Sequence, residues 1–344
     1  MDKKILKDTI AQLFANGKGI LAMDESTPTC DKRFEANEIP LTEEMRRKYR
    51  QLIITTDGLS ESIGGAILCD ETIRQKNEDG QPMVDALIKA GIIPGIKVDM
   101  GTTPLAGFPN EKITEGLDGL GERLLEYKEM GARFAKWRAV ITIAEGIPTD
   151  TCIAANAVSL ARYASLCQDA DIVPIVEPEV LMDGNHSLQE CYDVTQKVLK
   201  AFFNELYKFK VELEGIILKP NMVLSGQKSG EHKSADDVAE ATLNCFLSSV
   251  PAAVPAIAFL SGGQSPEEAA CNLNAINHNY KDRLPWIVVF SFGRAIQQPA
   301  LEAWKGKDSN VERAQKLLYK RAKIAASAHR GEYGPEMEQY DYFS

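Results

Sequence analysis

Eight short runs rich in Ile, Val and Leu, most of them opened by Gly or Pro, punctuate this chain: Gly19 to Asp24, Gly65 to Asp70, Ile93 to Asp99, Arg133 to Arg138, Ile172 to Glu179, Leu213 to Lys219, Ala256 to Ser261 and Trp286 to Ser291. Consecutive run ends lie from 29 residues apart (Asp70 to Asp99) to 46 apart (Asp24 to Asp70). That leaves room for one crossover helix each, and strongly apolar strands alternating with helices imply a parallel sheet buried on both faces. Eight such units imply closure, so the expected architecture is α/β, a single (β/α)8 barrel. Helix signals fall between the runs. Ser265-Pro266-Glu267-Glu268 combines an N-cap serine, a proline at the first helical position and a glutamate reaching back, and Ser234-Ala-Asp-Asp237 opens a helix in a similar way.

No break in composition divides the chain. Residues 1–330 read as one catalytic barrel domain, followed by an acidic, tyrosine-bearing tail over 331–344 that is expected to be mobile, as is the polar loop from Pro220 to Lys233. The formal charge of −10, from 49 acidic and 39 basic residues, comes with no basic run able to track a nucleic acid or an anionic membrane, so a small-molecule substrate is expected. The seven cysteines are scattered, with no C-x-x-C pair, and read as reduced thiols. No run approaches the roughly 18 apolar residues of a membrane span, and the N-terminus lacks a secretory core, so the cytoplasm is the expected compartment.

In such a barrel the active site lies at the carboxyl ends of the strands. Nearly every run here ends in a polar residue: Asp24, Lys97 with Asp99, Lys136 with Arg138, Glu177 with Glu179, Lys219, Ser261, and Ser291 followed by Arg294. Residues two apart on a strand share a face, so Lys136 with Arg138 and Glu177 with Glu179 bring four charges to one mouth if that face is the lumen. A structural ion-pair network capping the barrel is the plainer alternative to a catalytic centre, since buried ions need partners in either case.

Lys219 ends the apolar run Gly215-Ile-Ile-Leu218, a setting that disfavours an ammonium, and nearby Lys136 and Arg138 would oppose its charge further. Alone it would read as a snorkelling surface lysine. Within this ring it reads as a nucleophilic amine that attacks a ketone. The resulting iminium accepts the electron pair released when the adjacent carbon–carbon bond breaks, which is a retro-aldol step. Glu177 is placed to exchange the protons of dehydration, while Asp24 or the Glu177/Glu179 pair are candidates for the base that deprotonates the substrate hydroxyl. Two like charges in that pair would leave one carboxyl protonated.

The last two runs end in Ser261-Gly262-Gly263-Gln264 and Ser291-Phe292-Gly293-Arg294. Loops after the seventh and eighth strands commonly bind phosphate through backbone N–H groups, and Arg294 adds a charged fork. A second cationic set, Lys32, Arg33, Lys97 and Arg138 with Ser26 and Thr29, is expected on the other side of the ring, where it could take a second phosphate. The four histidines are far apart in sequence and lack metal-ligand spacing, so no metal is expected. Dinucleotide, nucleotide and serine-hydrolase motifs are absent, so no cofactor is expected either.

These segments closely resemble class I fructose-bisphosphate aldolase over roughly Gly17 to Gly331. The motifs that carry the likeness are Gly17-Lys-Gly-Ile-Leu-Ala-Met-Asp-Glu-Ser-Thr27, Gly95-Ile-Lys-Val-Asp99, Pro104-Leu-Ala-Gly107, Phe134-Ala-Lys-Trp-Arg138, Val173-Pro-Ile-Val-Glu-Pro-Glu179, Leu218-Lys-Pro-Asn-Met222, Phe259-Leu-Ser-Gly-Gly-Gln264 and Ser291-Phe-Gly-Arg294. The resemblance implies metal-free cleavage of fructose 1,6-bisphosphate into dihydroxyacetone phosphate and glyceraldehyde 3-phosphate. It implies Lys219 as Schiff-base lysine, Glu177 as proton donor and acceptor, and Asp24, Lys136 and Glu179 as catalytic neighbours. It also implies Ser261, Gly262, Gly263, Ser291, Gly293 and Arg294 at the ketose-end phosphate, and Thr29, Arg33, Lys97 and Arg138 near the other phosphate or the sugar hydroxyls. A homotetramer is implied as well.

Thr29 stands where animal members have Ser, and Phe292 where they have Tyr. The tail is shorter and ends in Tyr340-Asp-Tyr342-Phe-Ser344, which leaves the role of its tyrosines open. Rival readings are a Schiff-base aldolase or transaldolase of a sugar monophosphate, and a non-catalytic scaffold. Aldol cleavage is expected to survive EDTA undiminished in a coupled assay; loss of activity on chelation would point to a metal-dependent mechanism instead.

Overall fold

A computed structural model describes residues 1–340. Among the described residues there are ten strands: β1 (Gly19–Ala22), β2 (Ile63–Leu68), β3 (Ile93–Lys97), β4 (Thr102–Pro104), β5 (Lys112–Thr114), β6 (Phe134–Ile141), β7 (Val173–Val180), β8 (Ile217–Leu218), β9 (Ala256–Phe259) and β10 (Ile287–Phe292). Eight of them close a parallel barrel in the order β1-β10-β9-β8-β7-β6-β3-β2, with helices between successive barrel strands. The expected (β/α)8 barrel is therefore the observed fold. The short antiparallel pair β4 and β5, between β3 and β6, was not anticipated: three residues per strand carry too little period-2 pattern to read.

The largest boundary difference is at β8. The run expected from Leu213 to Lys219 is a strand only at Ile217–Leu218, and Leu213–Gly215 forms a 3₁₀ turn. Its backbone is satisfied elsewhere, because Gln168 Nε2 donates to the carbonyls of Glu212 (2.8 Å) and Gly215 (3.3 Å). Gly215 is needed there, since a Cβ at that position would lie 2.9 Å from Leu6 of the N-terminal helix. That helix, Lys3–Leu13, is capped by the Asp2 carboxylate and buries Leu6, Ile10 and Leu13 against the end of the barrel opposite the strand carboxyl ends. Leu13 reaches Gly65 of β2, and Phe134 of β6 fills the same space. The helix starts expected at Ser234 and Ser265 both form as reciprocal capping boxes, as does one at Ser187 with Glu190.

The Pro220 to Lys233 loop is tied down by a short backbone ladder, with Gly226 N–H to His186 O (2.8 Å), Gln227 to Met182 (2.9 Å) and Lys228 to Gly184 (2.8 Å). The described part of the expected tail is also anchored. Tyr333 N–H bonds to Asn274 Oδ1 (2.9 Å), and Arg321 grips Glu338 at 2.5 Å. Tyr342 lies outside the described residues. All seven cysteines are free thiols. Among the described residues no helix is long and apolar enough to cross a membrane.

Barrel closure depends on glycine beneath Phe134: a Cβ on Gly95 would stand 2.2 Å from the buried Phe134 ring. Gly95→Ala is expected to lower the unfolding free energy by about 1–3 kcal/mol through overpacking, with Phe134→Leu recovering part of the loss in the double variant, as read by denaturant titration.

Candidate active site

Lys136 fixes the orientation of the barrel's charged residues. From β6 its ammonium lies 2.8 Å from Asp24 Oδ2 beyond β1, 3.8 Å from Asp99 Oδ2 beyond β3, and 3.2 Å from Glu177 Oε2 on β7. One side chain can meet partners from strands on both sides, including β1 three strands away, only by pointing into the lumen. By period-2 alternation Phe134 and Arg138 point inward with it. The pairing of β6 with β7 places Arg138 opposite Glu177, which brings the two charged pairs to one mouth.

Glu177 stands between two lysines. Its Oε1 lies 3.1 Å from Lys219 Nζ, and the Lys219, Glu177 and Lys136 residues are 4%, 4% and 3% exposed. Its Oε2 lies 3.2 Å from the Lys136 ammonium. Glu179 binds the Arg138 guanidinium through Nε instead. The two glutamates thus contact separate cations, Glu177 the two lysines and Glu179 the Arg138 guanidinium.

Burial works against charge on both Asp24 and Lys136, but their mutual attraction outweighs it. The ammoniums of Lys136, Lys219 and Lys97 hold the Asp24 carboxyl well below the usual carboxylate range, and Asp24, Glu177 and Asp99 hold Lys136 well above the usual lysine range. Both therefore stay ionised at neutral pH.

The glycine loops lie beside this centre. Ser261 follows β9 and is buried, and Ser291 on β10 is 1% exposed with an Oγ that has no hydrogen-bond partner among the described residues. Gly262 packs so close to Glu179 that a Cβ would sit 3.0 Å from its Oε1, and Gly263 has φ +76°, a conformation open to glycine. Gly293 precedes the helix Arg294–Trp304, whose N-terminus points free N–H groups out of the β10 end, and Arg294 opens that helix.

The second cationic set does not gather on the far side of the ring. Strands β1 and β10 are hydrogen-bonded neighbours, so the segment after β1 meets the one after β10, and Lys32 and Arg33 line a cavity of about 390 Å³ together with Arg294 and Gln264. Arg33 also contacts Glu25. Lys97 is instead held by Asp99 at 2.6 Å, and Arg138 by Glu179. Thr29 is exposed on the helix Thr27–Glu35, its hydroxyl 3.1 Å from that of Ser26.

The model of the family described as glycolytic, fructose-bisphosphate aldolase class-I, matches residues 5–342. The chain belongs to the class I fructose-bisphosphate aldolase family. It is 53% identical over 95% of its length to a probable fructose-bisphosphate aldolase class 1 of Xanthomonas campestris pv. campestris, spanning 98% of that protein. It is 51% identical over 92% of its length to the cytosolic fructose-bisphosphate aldolase 4 of Arabidopsis thaliana, spanning 80% of it. A solved fructose-bisphosphate aldolase from Plasmodium falciparum, in complex with TRAP and a small-molecule inhibitor, superposes with a TM-score of 0.94 at 48% identity, over 96% of each chain.

Among the aldolase residues gathered here, sequence reasoning passed over Glu25, Arg50 and Gln297. Glu25 lay inside a quoted motif, but Arg50 and Gln297 sit on helices remote in sequence and carry no local signal. Lys136→Met would remove the one ion-pair partner Asp24 has among the described residues and one of the two cations at Asp99 and at Glu177, so it is expected to cost about 3–5 kcal/mol of unfolding free energy at neutral pH. Asp24 is depressed, so its pairing stabilises above the unfolded carboxylate pKa of about 3.9 and is lost as pH falls toward the folded value; Lys136 is raised, so its contribution is complete below about 10.4 and is lost as pH rises beyond. Urea titrations across pH should show the wild-type advantage flat near neutrality and shrinking in acid.

Proposed function

We propose that this enzyme cleaves fructose 1,6-bisphosphate reversibly into dihydroxyacetone phosphate and glyceraldehyde 3-phosphate through a Schiff base on Lys219. The observation that carries this reading is the buried contact of Lys219 Nζ with Glu177 Oε1 at 3.1 Å, with Lys136 joining Glu177 to Asp24. Transfer of one proton across that contact turns an ammonium and a carboxylate into an amine and a carboxylic acid, the two species the first steps need.

The amine adds to the substrate's keto carbon. Glu177 relays the amine proton to the new alkoxide, then protonates the carbinolamine hydroxyl so that water leaves and an iminium remains. Glu177 is now a carboxylate facing the bound chain and takes the proton from the C4 hydroxyl. The C3–C4 bond breaks, the aldehyde departs, and the electron pair settles in an enamine on Lys219. Asp24 is held too strongly ionised by Lys136 to be an efficient base, so its part is to accept a hydrogen bond from a substrate hydroxyl and orient it. Lys136 keeps both carboxylates in place, and Glu179 does the same for Arg138.

The ketose-end phosphate is assigned to Ser261, the N–H groups of Gly262, Gly263 and Gly293, Ser291 and Arg294. The unpartnered Ser291 hydroxyl and the adjoining helix N-terminus support that placement. Arg33 is assigned to the second phosphate and Thr29 to its vicinity, with Lys97 and Arg138 toward the sugar hydroxyls. We further propose one catalytic domain over 1–330 with a tail over 331–344, a cytoplasmic location in keeping with the named cytosolic relative, and a homotetramer, for which the family likeness is the support.

Borohydride reduction in the presence of dihydroxyacetone phosphate, followed by digestion and mass analysis, should place the adduct on Lys219, and Lys219→Met should lower kcat by about 10⁴-fold or more. An adduct on any other lysine would sink the assignment.

A further inference from the structure

Glu25, the residue after Asp24, is shared by two guanidiniums. Arg33 NH1 contacts its Oε1, and Arg50 NH1 lies 2.7 Å from its Oε2. Arg50 NH2 also donates to the Glu25 carbonyl at 3.2 Å, and Gln297 Nε2 to Glu25 Oε1 at 3.0 Å. Two cations on one carboxylate leave the group with an excess positive charge. The side chains differ in access: Arg50 is 2% exposed, Glu25 7% and Arg33 20%. Arg50 is fastened to Glu25 at both its carboxylate and its carbonyl, lies over the Tyr49 ring at 5.8 Å, and meets no other carboxylate among the described residues. The excess charge therefore faces the 390 Å³ cavity through Arg33, beside Lys32 and Arg294.

Pulling a lone guanidinium off a buried carboxylate strands that carboxylate, which is costly. Here Arg50 and Gln297 stay on Glu25 when Arg33 lets go, so the cost is largely removed. We propose that Arg50 is a positioning residue for substrate specificity: by holding Glu25, it frees Arg33 to exchange that carboxylate for a phosphate monoester dianion in the cavity, and so sets the preference for a sugar bisphosphate over a monophosphate. This rests on the reading above that Arg33 meets the second phosphate.

Steady-state kinetics on fructose 1,6-bisphosphate and fructose 1-phosphate test it with Arg33→Ala, Arg50→Met, Glu25→Gln and the Arg50→Met/Glu25→Gln double variant. With Arg50 gone, Glu25 holds Arg33 alone, so the bisphosphate KM should rise about ten-fold or more while kcat and the fructose 1-phosphate KM stay near wild type. The double variant removes one charge of each sign and leaves no carboxylate to trap Arg33, so it should recover most of the bisphosphate KM. Should Arg50→Met fail to fold, the comparison of the double variant with Glu25→Gln replaces it: adding Arg50→Met there should leave the bisphosphate KM unchanged. A purely structural arginine would impair both substrates alike, or leave the double variant as defective as the single, and either result overturns the proposal. If Arg33→Ala leaves the bisphosphate KM unaltered, the phosphate reading of Arg33 itself fails. If Arg33→Ala raises it and Arg50→Met does not, only the positioning role fails.

Discussion

A single ammonium at the mouth of the barrel organises this molecule. Lys136 meets carboxylates delivered by the ends of β1, β3 and β7, sharing Asp99 with Lys97 and Glu177 with Lys219, while Asp24 depends on it alone among the described residues. Closure of the sheet brings the four strands to a common axis, and the charge pattern in turn stays affordable only because the barrel has closed. With Lys136 held as a cation and Asp24 as an anion, Glu177 is the carboxylate that also reaches Lys219.

The barrel is asymmetric along its axis in a way that suits this chemistry. At one end the helix Lys3–Leu13 and the Phe134 ring, seated over glycines, give an apolar seal. At the other, the same face of β6 continues into Lys136 and Arg138, so one alternating strand supplies both the packed interior and the reactive mouth. The glycines after β9 lie beside Glu179, and a helix begins directly after β10.

The cationic residues beyond the lumen show how a barrel partitions charge. Lys97 and Arg138 are spoken for by Asp99 and Glu179, whereas Lys32, Arg33 and Arg294 gather at the seam between β1 and β10. The seam is where the chain's first and last barrel strands meet, so residues some 260 positions apart (Arg33 and Arg294) line one cavity. The expectation that set them on opposite sides of the ring overlooked that closure makes the first and last barrel strands neighbours.

Much of this was legible in the residues alone. Eight apolar runs at helix-permitting intervals dictate a parallel sheet with both faces covered, and polar residues at the run ends mark the mouth, because hydrophobic burial and period-2 alternation act locally along the chain. The capping serines at Ser234 and Ser265 were legible for the same reason. Partner choice was not. Whether Glu177 would face Glu179 or Lys219, where the chain before Lys219 would leave the ladder, and that Arg50 would reach Glu25 from a distant helix depend on three-dimensional separations between segments remote in sequence. Coulombic and hydrogen-bond energies fall steeply with such distances, so they are decided only once the tertiary fold has set them.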